Sequence, residues 1–509
     1  MAATAAAAAA PATPAPPAHL SITPEVATAL AQVAAAVGTP AYVYDLATVR
    51  ARCGALNDAV AASGGPGALP VQLLYAVKAN PCRPVVEAIV GSGFGLEAVS
   101  VGEVTLALAA GAAHVLYTAN NVSDDEFAAV VAAGASAGAG RVWINVDSLQ
   151  RLSALPAGTE VFIRINGPVG GGHHDHVITC GPASKFGIPH EHLPAAIAAA
   201  AAAGVSIVGL HQHIGSGVLA AERYAAAVGV LAGVLASHGA ALPALRYLDV
   251  GGGLGVPYRP EQTPLDVRAV VADARAQVAA ALATLPPRPV PLTLVMEPGR
   301  FPVAEAGYLL ATVNTLKPTP YGRTYAGVDT GFNHLVRPTM YGAYHHITNL
   351  TAAAAEAAGG QPRPRRPLYI AGNVCESGDV FTRGTPADIA PVHAAHAAAA
   401  AAAGSADEAA AASAAAAAAA AAALSGAHAA EDNIAIPRLL PDATAGDLLV
   451  FHTVGAYGAA MASEYNMRPR PAEVVLDRDG GGAVTLALAR RAKTVAEMVA
   501  EAWVAPVPL

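Results

Sequence analysis

Leu73-Leu74-Tyr75-Ala76-Val77-Lys78-Ala79-Asn80-Pro81 is an apolar strand that ends on a single lysine. The same kind of run recurs on both sides of it. Short β-rich stretches at residues 41–44, 72–77, 95–98, 115–117, 141–144, 160–165, 207–211, 247–250 and 292–297 alternate with alanine-rich segments, most of them long enough for a helix. Repeated βα units at this spacing predict a parallel sheet, and about eight of them predict a closed (β/α)8 TIM-like barrel. The chemistry-bearing motifs follow these strands at their C-terminal ends, where barrel active sites gather.

Beyond Arg300 the texture changes. Runs at 307–316, 367–370, 447–452 and 483–488 look like antiparallel strands separated by turns, which predicts a β-rich C-terminal domain over 301–509. The expected division is therefore a disordered leader over 1–21, first strand(s) within 22–46 joining the β domain, a barrel over 47–300, and the β domain. An alanine-rich, low-complexity insertion at about 393–430 interrupts that last domain and is helical by propensity.

Composition limits the function classes. A chain of 509 residues can bury two sizeable cores. The 54% hydrophobic fraction is inflated by alanine, and the long alanine run holds Gly404, Asp407 and Glu408, so no membrane span is expected. With 29 basic against 37 acidic residues and only the short, proline-broken basic stretch 363–366, nucleic acid is not an expected partner. Cys53, Cys82, Cys180 and Cys375 form no disulfide framework and no metal-ligand spacing. The first twenty residues lack the arginines and lysines of a targeting segment. A soluble intracellular protein is expected, in the cytoplasm or the plastid stroma.

Six stretches carry chemistry. A strand-end lysine alone reads as solvent-facing, but a catalytic amine needs a fixed position and a low pKa, and burial at a barrel-strand end would supply both. In His211-Gln212-His213-Ile214-Gly215-Ser216-Gly217, two histidines at i, i+2 on a strand would share a face, so a metal pair has to be weighed. No carboxylate or cysteine stands at ligand spacing beside them, and no metal site is expected. The Gly-Ser-Gly tail suits an anion-holding turn. Asp249-Val250-Gly251-Gly252-Gly253-Leu254-Gly255 allows a phosphate to approach the backbone closely. Met296-Glu297-Pro298-Gly299-Arg300 places a carboxylate and a guanidinium at another strand end. Cys375-Glu376-Ser377-Gly378-Asp379 sets a thiol between acids, which favours a proton-donating thiol over a thiolate, and Gly455-Ala456-Tyr457-Gly458 follows downstream.

In order and spacing these motifs resemble the fold-type III, alanine-racemase-like family of pyridoxal phosphate (PLP)-dependent decarboxylases, and most closely its diaminopimelate decarboxylase branch. The resemblance covers roughly residues 38–470 outside the insertion. It implies PLP on Lys78, His213 stacked on the cofactor ring, and Ser216, Gly251, Gly252, Gly253, Pro298, Gly299 and Arg300 around the cofactor and its phosphate. It gives Glu297 to the ring nitrogen, where a nearby carboxylate keeps the nitrogen protonated and the ring a better electron sink. Cys375 becomes the proton donor, supplied across the interface of a homodimer with shared active sites. Tyr457 reaches phosphate and substrate. Arg300, Arg337 and Tyr341 hold the substrate, and Glu376 meets its distal part. Arg164 and Ser184-Lys185-Phe186-Gly187 are assigned to structural support.

An arginine grips a carboxylate at two points, so Arg337 with Glu376 favours an amino-acid substrate whose far end is itself an amino acid. The implied reaction is decarboxylation of meso-2,6-diaminopimelate to L-lysine and CO2, the last step of lysine biosynthesis. Glu97 stands where the family more often has aspartate, Asn373-Val374 where a Gly-Pro-like pair is common, His452-Thr453-Val454 where an Asp-Ala pair is common, and Cys180 in a usually Gly-rich turn. Competing readings are a racemase of the same barrel class, which would not need the Cys375 loop, a decarboxylase of ornithine, arginine or carboxynorspermidine, and a non-catalytic binding homologue, which would have lost groups that are all present here.

Overall fold

The computed structural model describes residues 17–502 apart from 139, 169–178, 183, 289, 321, 386–387 and 403–432. The first strand, β1 (Ala41–Asp45), leads into a helix, Leu46–Ala62. Eight parallel strands then close on themselves: β2 (Val71–Ala76), β3 (Gly95–Ala98), β4 (Val115–Tyr117), β5 (Val142–Val146), β6 (Glu160–Asn166), β8 (Ser206–His211), β9 (Tyr247–Asp249) and β10 (Thr293–Met296), while the two-residue β7 (Ile188–Pro189) pairs with β6. Pairing of β10 with β2 and of β5 with β6 completes the ring. This is the expected (β/α)8 barrel, and its strand ends lie within a residue or two of the expected ones.

The strands are apolar on both faces because both are covered. Tyr75, Leu96, Val115 and Ile163 pack under the helices, whereas Leu74, Leu116, Phe162, Val208 and Val295 form a separate apolar plug with Trp143 and Tyr247. Large and small residues alternate there: a Cβ at Gly209 would overlap the Phe162 ring.

The second sheet runs β17–β14–β12–β11–β1–β19–β20, with β18 pairing β11 and β13. Its members are β11 (Gly307–Pro318), β12 (Thr324–Val328), β13 (Ile347–Asn349), β14 (Arg365–Ala371), β17 (Arg438–Pro441), β18 (Leu448–Phe451), β19 (Ala472–Arg478) and β20 (Val484–Arg490), and a small separate pair joins β15 (Arg383–Gly384) to β16 (Ile434–Ala435). The expectation of antiparallel strands fails at two places. β1 is parallel to β19, and β12 is parallel to β14. A parallel neighbour needs a long crossover. For β1 and β19 that crossover contains the whole barrel, which no local turn signal could announce.

The segment before β1 also differs from expectation. Residues Pro24–Val37 form a helix, with Thr23 accepting the Val26 N–H at its start and Gly38, at φ +77°, at its end. Val26, Ala29, Leu30 and Val33 recur at helical spacing and pack on the second sheet beside Val43, Leu310 and Val474. Among the described residues two segments, Ala18–Val37 and Ala221–Ala241, are long and apolar enough to cross a membrane by composition. The first buries the stripe just named, and the second packs Tyr224, Leu231 and Leu235 into the barrel's outer layer. The alanine-rich stretch begins within the helix Ile389–Ala402, and most of the expected insertion, like most of the leader, lies outside the described residues.

Candidate active site

Lys78 follows the C-terminal end of β2 with its side chain 36% exposed, reachable by a ligand, while its partner Glu97 is 1% exposed. Both Glu97 oxygens accept from the amine, at 3.0 and 2.8 Å. The strand end is tied to the second sheet: Asn80 Nδ2 donates to Gly455 O at 2.9 Å, and the Tyr457 N–H donates to Ala79 O at 2.8 Å. The lowered lysine pKa expected from burial is overturned. Burial does disfavour the ammonium, but Glu97, with Tyr457 and Glu297 further off, outweighs it and holds the amine above the ordinary lysine range. Glu97 in turn is pushed up to about 7 by burial, against the pull of Lys78.

The neighbouring strand ends are stitched together by backbone. Gln212 N donates to Asp249 O, Gly251 N to the Asp249 carboxylate, and Glu297 N to Gly251 O, all near 2.8–2.9 Å. Gly251 and Gly253 have φ of +71° and +107°. A Cβ at Gly251 would strike Gln212 O and one at Gly252 would strike Glu297 O, so the cradle exists only with glycine. At Gly299 a Cβ would crowd Ala76 and sit 3.3 Å from the Tyr457 hydroxyl.

The two histidines do not form a pair. β8 ends at His211, and His213 lies beyond it, where the period-two rule no longer applies. His213 accepts the Gly252 N–H on Nδ1 at 3.0 Å, and burial keeps the ring neutral, so its proton is on Nε2. His211 Nε2 instead lies 3.2 Å from Glu297 Oε2, also as a neutral ring because of burial. His211, Asp249 and Glu297 bring one ligand-type atom each within 4.8 Å of one another, a cluster from three strand ends that the linear spacing concealed. Burial and Glu297 drive the proton onto Asp249, while the hydrogen bond from the His211 ring and the charge on Lys78 outweigh burial at Glu297 and hold its carboxyl below the usual carboxylate range. Glu297 thus stays an anion, and its Oε1 is buried with no hydrogen-bond partner.

A cationic patch faces this centre. Arg300 donates from Nε and Nη2 to Ser216 Oγ at 3.2 and 3.0 Å and from Nη1 to the Tyr258 hydroxyl at 2.6 Å, and its guanidinium stands 4.9 Å from the Tyr457 ring. Arg337, fully buried at the start of the helix Arg337–Tyr341, lies 4.9 Å from the Tyr258 ring and donates to His345 Nε2 at 2.9 Å. No carboxylate among the described residues pairs with either arginine. Tyr258 and His345 escaped the sequence reading, whereas Glu97 stood out there as a departure near Lys78, without the two-point contact. The first two stand beside quoted motifs but carry no signature of their own.

Cys375 and Glu376 are solvent-exposed, and no contact among the described residues joins them to Lys78, Glu297 or Arg300. Asp379 is buried within the same loop. It braces the loop, accepting the Phe332 and Val374 N–H groups at 2.7 Å each, although burial pushes it up to about 6. Asp379→Ala is expected to cost about 2 kcal/mol, because two buried donors lose their acceptor; urea unfolding measures it, and an unchanged midpoint would show that the loop is braced elsewhere. Arg164 stacks over Phe186 at 4.5 Å, and Cys180 exchanges hydrogen bonds with the Gly167 backbone.

Residues 46–304 match the family model described as "Pyridoxal-dependent decarboxylase, pyridoxal binding domain". The diaminopimelate decarboxylase of Methanothermobacter thermautotrophicus is 36% identical over 451 residues, 87% of each chain. The chain belongs to the diaminopimelate decarboxylase family. That of Streptomyces coelicolor is 34% identical, covering 92% of this chain and 91% of its own. A crystal structure of a diaminopimelate decarboxylase, 29% identical, superposes with a TM-score of 0.72 over 95% of this chain and 98% of its own. The M. jannaschii diaminopimelate decarboxylase, solved in co-complex with L-lysine, is 25% identical with a TM-score of 0.72, over 93% and 94% of the two chains. Membership in this family makes the barrel a fold-type III decarboxylase domain.

Proposed function

We propose that the chain binds pyridoxal 5'-phosphate through Lys78 and decarboxylates meso-2,6-diaminopimelate to L-lysine and CO2, closing lysine biosynthesis. The observation that carries the substrate is the pair Arg300 and Arg337. Arg337 is a fully buried guanidinium that pairs with no carboxylate among the described residues, and an anionic ligand supplies the counter-ion. Ornithine and arginine carry no distal carboxylate for Arg337.

The residues fit the cofactor. Lys78 offers an accessible amine, the orphaned Oε1 of Glu297 offers a buried anionic acceptor, and glycines 251–253 leave a cradle that side chains would fill. When bound, PLP supplies an electron sink for the bond that CO2 leaves behind. Glu297, kept ionised by Lys78 and His211, holds a proton at the ring nitrogen. His213 presents a neutral ring face. Ser216, Arg300, Gly299, Pro298 and Tyr457 line the phosphate and substrate end, and Tyr341 joins Arg337 at the distal carboxylate. Cys375 gives the proton to carbon and Glu376 receives the distal amine. Their exposure on a single chain supports a homodimer in which each subunit completes its partner's site.

CO2 release measured side by side from meso-diaminopimelate, ornithine, arginine and carboxynorspermidine tests the substrate; a higher kcat/KM on any of the last three would overturn it. Arg337→Met is expected to lower kcat/KM for diaminopimelate about 10- to 100-fold, the loss of one charge-assisted contact. Normal kcat/KM in that variant would remove Arg337 from the substrate.

Cofactor capture needs Lys78 without its proton. Glu97 holds that proton on, so Glu97→Gln leaves burial as the dominant influence and lowers the amine's pKa. The rate of PLP uptake by the stripped protein should then reach its plateau at lower pH than in the unmodified chain. A profile that stays put or moves upward would contradict the role given to Glu97.

A further inference from the structure

Outside the barrel mouth, a cavity of about 310 Å³ opens against the second sheet. Arg259, Arg365 and Arg438 line its polar side, and Ile347, Val392, Ile436, Leu439 and Leu440 are among its apolar walls. Arg438 is 8% exposed. It donates from Nη1 to His345 O, its guanidinium lies 3.8 Å from the Tyr344 ring, and its Nε and Nη2 have no hydrogen-bond partner. Arg259 stands 4.9 Å from the same ring. Arg365 gives Nη2 to Leu439 O at 2.8 Å but leaves a buried Nε unmatched. Among the described residues lining the cavity Asp388 is the one carboxylate, and its Oδ2 accepts Thr385 N and Oγ1 at 2.7 and 2.8 Å; Arg259 also stands 4.0 Å from Glu261, and His346 is held neutral by burial and nearby arginines.

We infer that this cavity is a second ligand site, for a small organic carboxylate with a compact apolar body. Unmatched buried N–H donors and an excess of guanidinium groups call for an anion. The apolar walls and a volume within the range of small-molecule pockets call for more than a bare oxyanion. Neither the cofactor nor the substrate residues line it. It nonetheless adjoins them through three links: Arg259 follows Tyr258, His346 follows His345, and Arg438 holds the carbonyl of the histidine that receives Arg337. An occupant therefore bears on the backbone that positions Arg337.

Calorimetric titration of the PLP-loaded enzyme tests this with phenylacetate, its uncharged counterpart phenylacetamide, and inorganic phosphate as bare anion. Phenylacetate is expected to bind saturably, phosphate more weakly, and phenylacetamide not at all. Arg438→Met and, at the rim, Arg365→Met should each weaken phenylacetate about 10-fold or more, as expected for a lost charge-assisted hydrogen bond. If Arg438→Met fails to fold, Arg365→Met and Arg259→Gln carry the test. Absence of saturable binding, equal binding of phenylacetamide, stronger binding of phosphate, or an affinity that these variants leave unchanged would each overturn the assignment.

Discussion

Lys78→Ala is expected to abolish CO2 release, on the order of 10⁴-fold or more, and to remove the visible absorption that bound PLP gives the protein. The lysine is the accessible amine at the barrel mouth, held at two points by Glu97 and fixed in place because Asn80 and Ala79, just after it, are bonded to the Gly455–Tyr457 loop. If Lys78 anchors the cofactor as proposed, alanine removes that anchor but leaves the glycine cradle and Arg300, so PLP should bind weakly and be lost on gel filtration. The substitution also strands Glu97, which then takes up a proton. Far-UV circular dichroism separates loss of the anchor from loss of fold. A folded variant with an unchanged visible band would refute the anchor.

Cys375→Ala should slow turnover about 10²- to 10⁴-fold, the usual worth of a positioned general acid, with PLP still bound. Cys375 does not reach Lys78 within its own chain, so its effect is expected to cross subunits. Mixing the two inactive variants, Lys78→Ala and Cys375→Ala, should then restore part of the activity, since a mixed dimer holds one site with both groups intact. Near-normal turnover of Cys375→Ala would remove its proton-donor role. A slow variant that mixing never rescues would place the thiol in its own chain's site.

Most of the barrel was legible because it is written in local patterns. An apolar run of β-rich residues followed by an alanine-rich helix marks its own boundaries, and the site motifs sit where those runs stop. Groups whose role depends on contacts between strands were not legible. Asp249 was quoted within a glycine loop, yet its protonation depends on Glu297, brought beside it by β10. Two histidines two residues apart suggested a shared face, but the strand ended between them. Burial suggested a low lysine pKa, and a carboxylate from β3 reversed it. In the second sheet, the parallel pairings are set by partners far away in the chain, and sequence periodicity carries no information about partners.

The placement of β1 bears on how the chain is made. Residues 41–45 leave the ribosome early, but their parallel neighbours are residues 472–476, and their antiparallel ones, 307–310, come after the whole barrel. The barrel can close while β1 waits with both edges unpaired, an open template for other chains. Once β11 is made it can cover one edge of the early strand, and only the arrival of β19 seals the other. A nascent chain arrested just before residue 472 should hold a protease-resistant barrel and a protease-sensitive N-terminus, and the two should become resistant together only once β19 has been added.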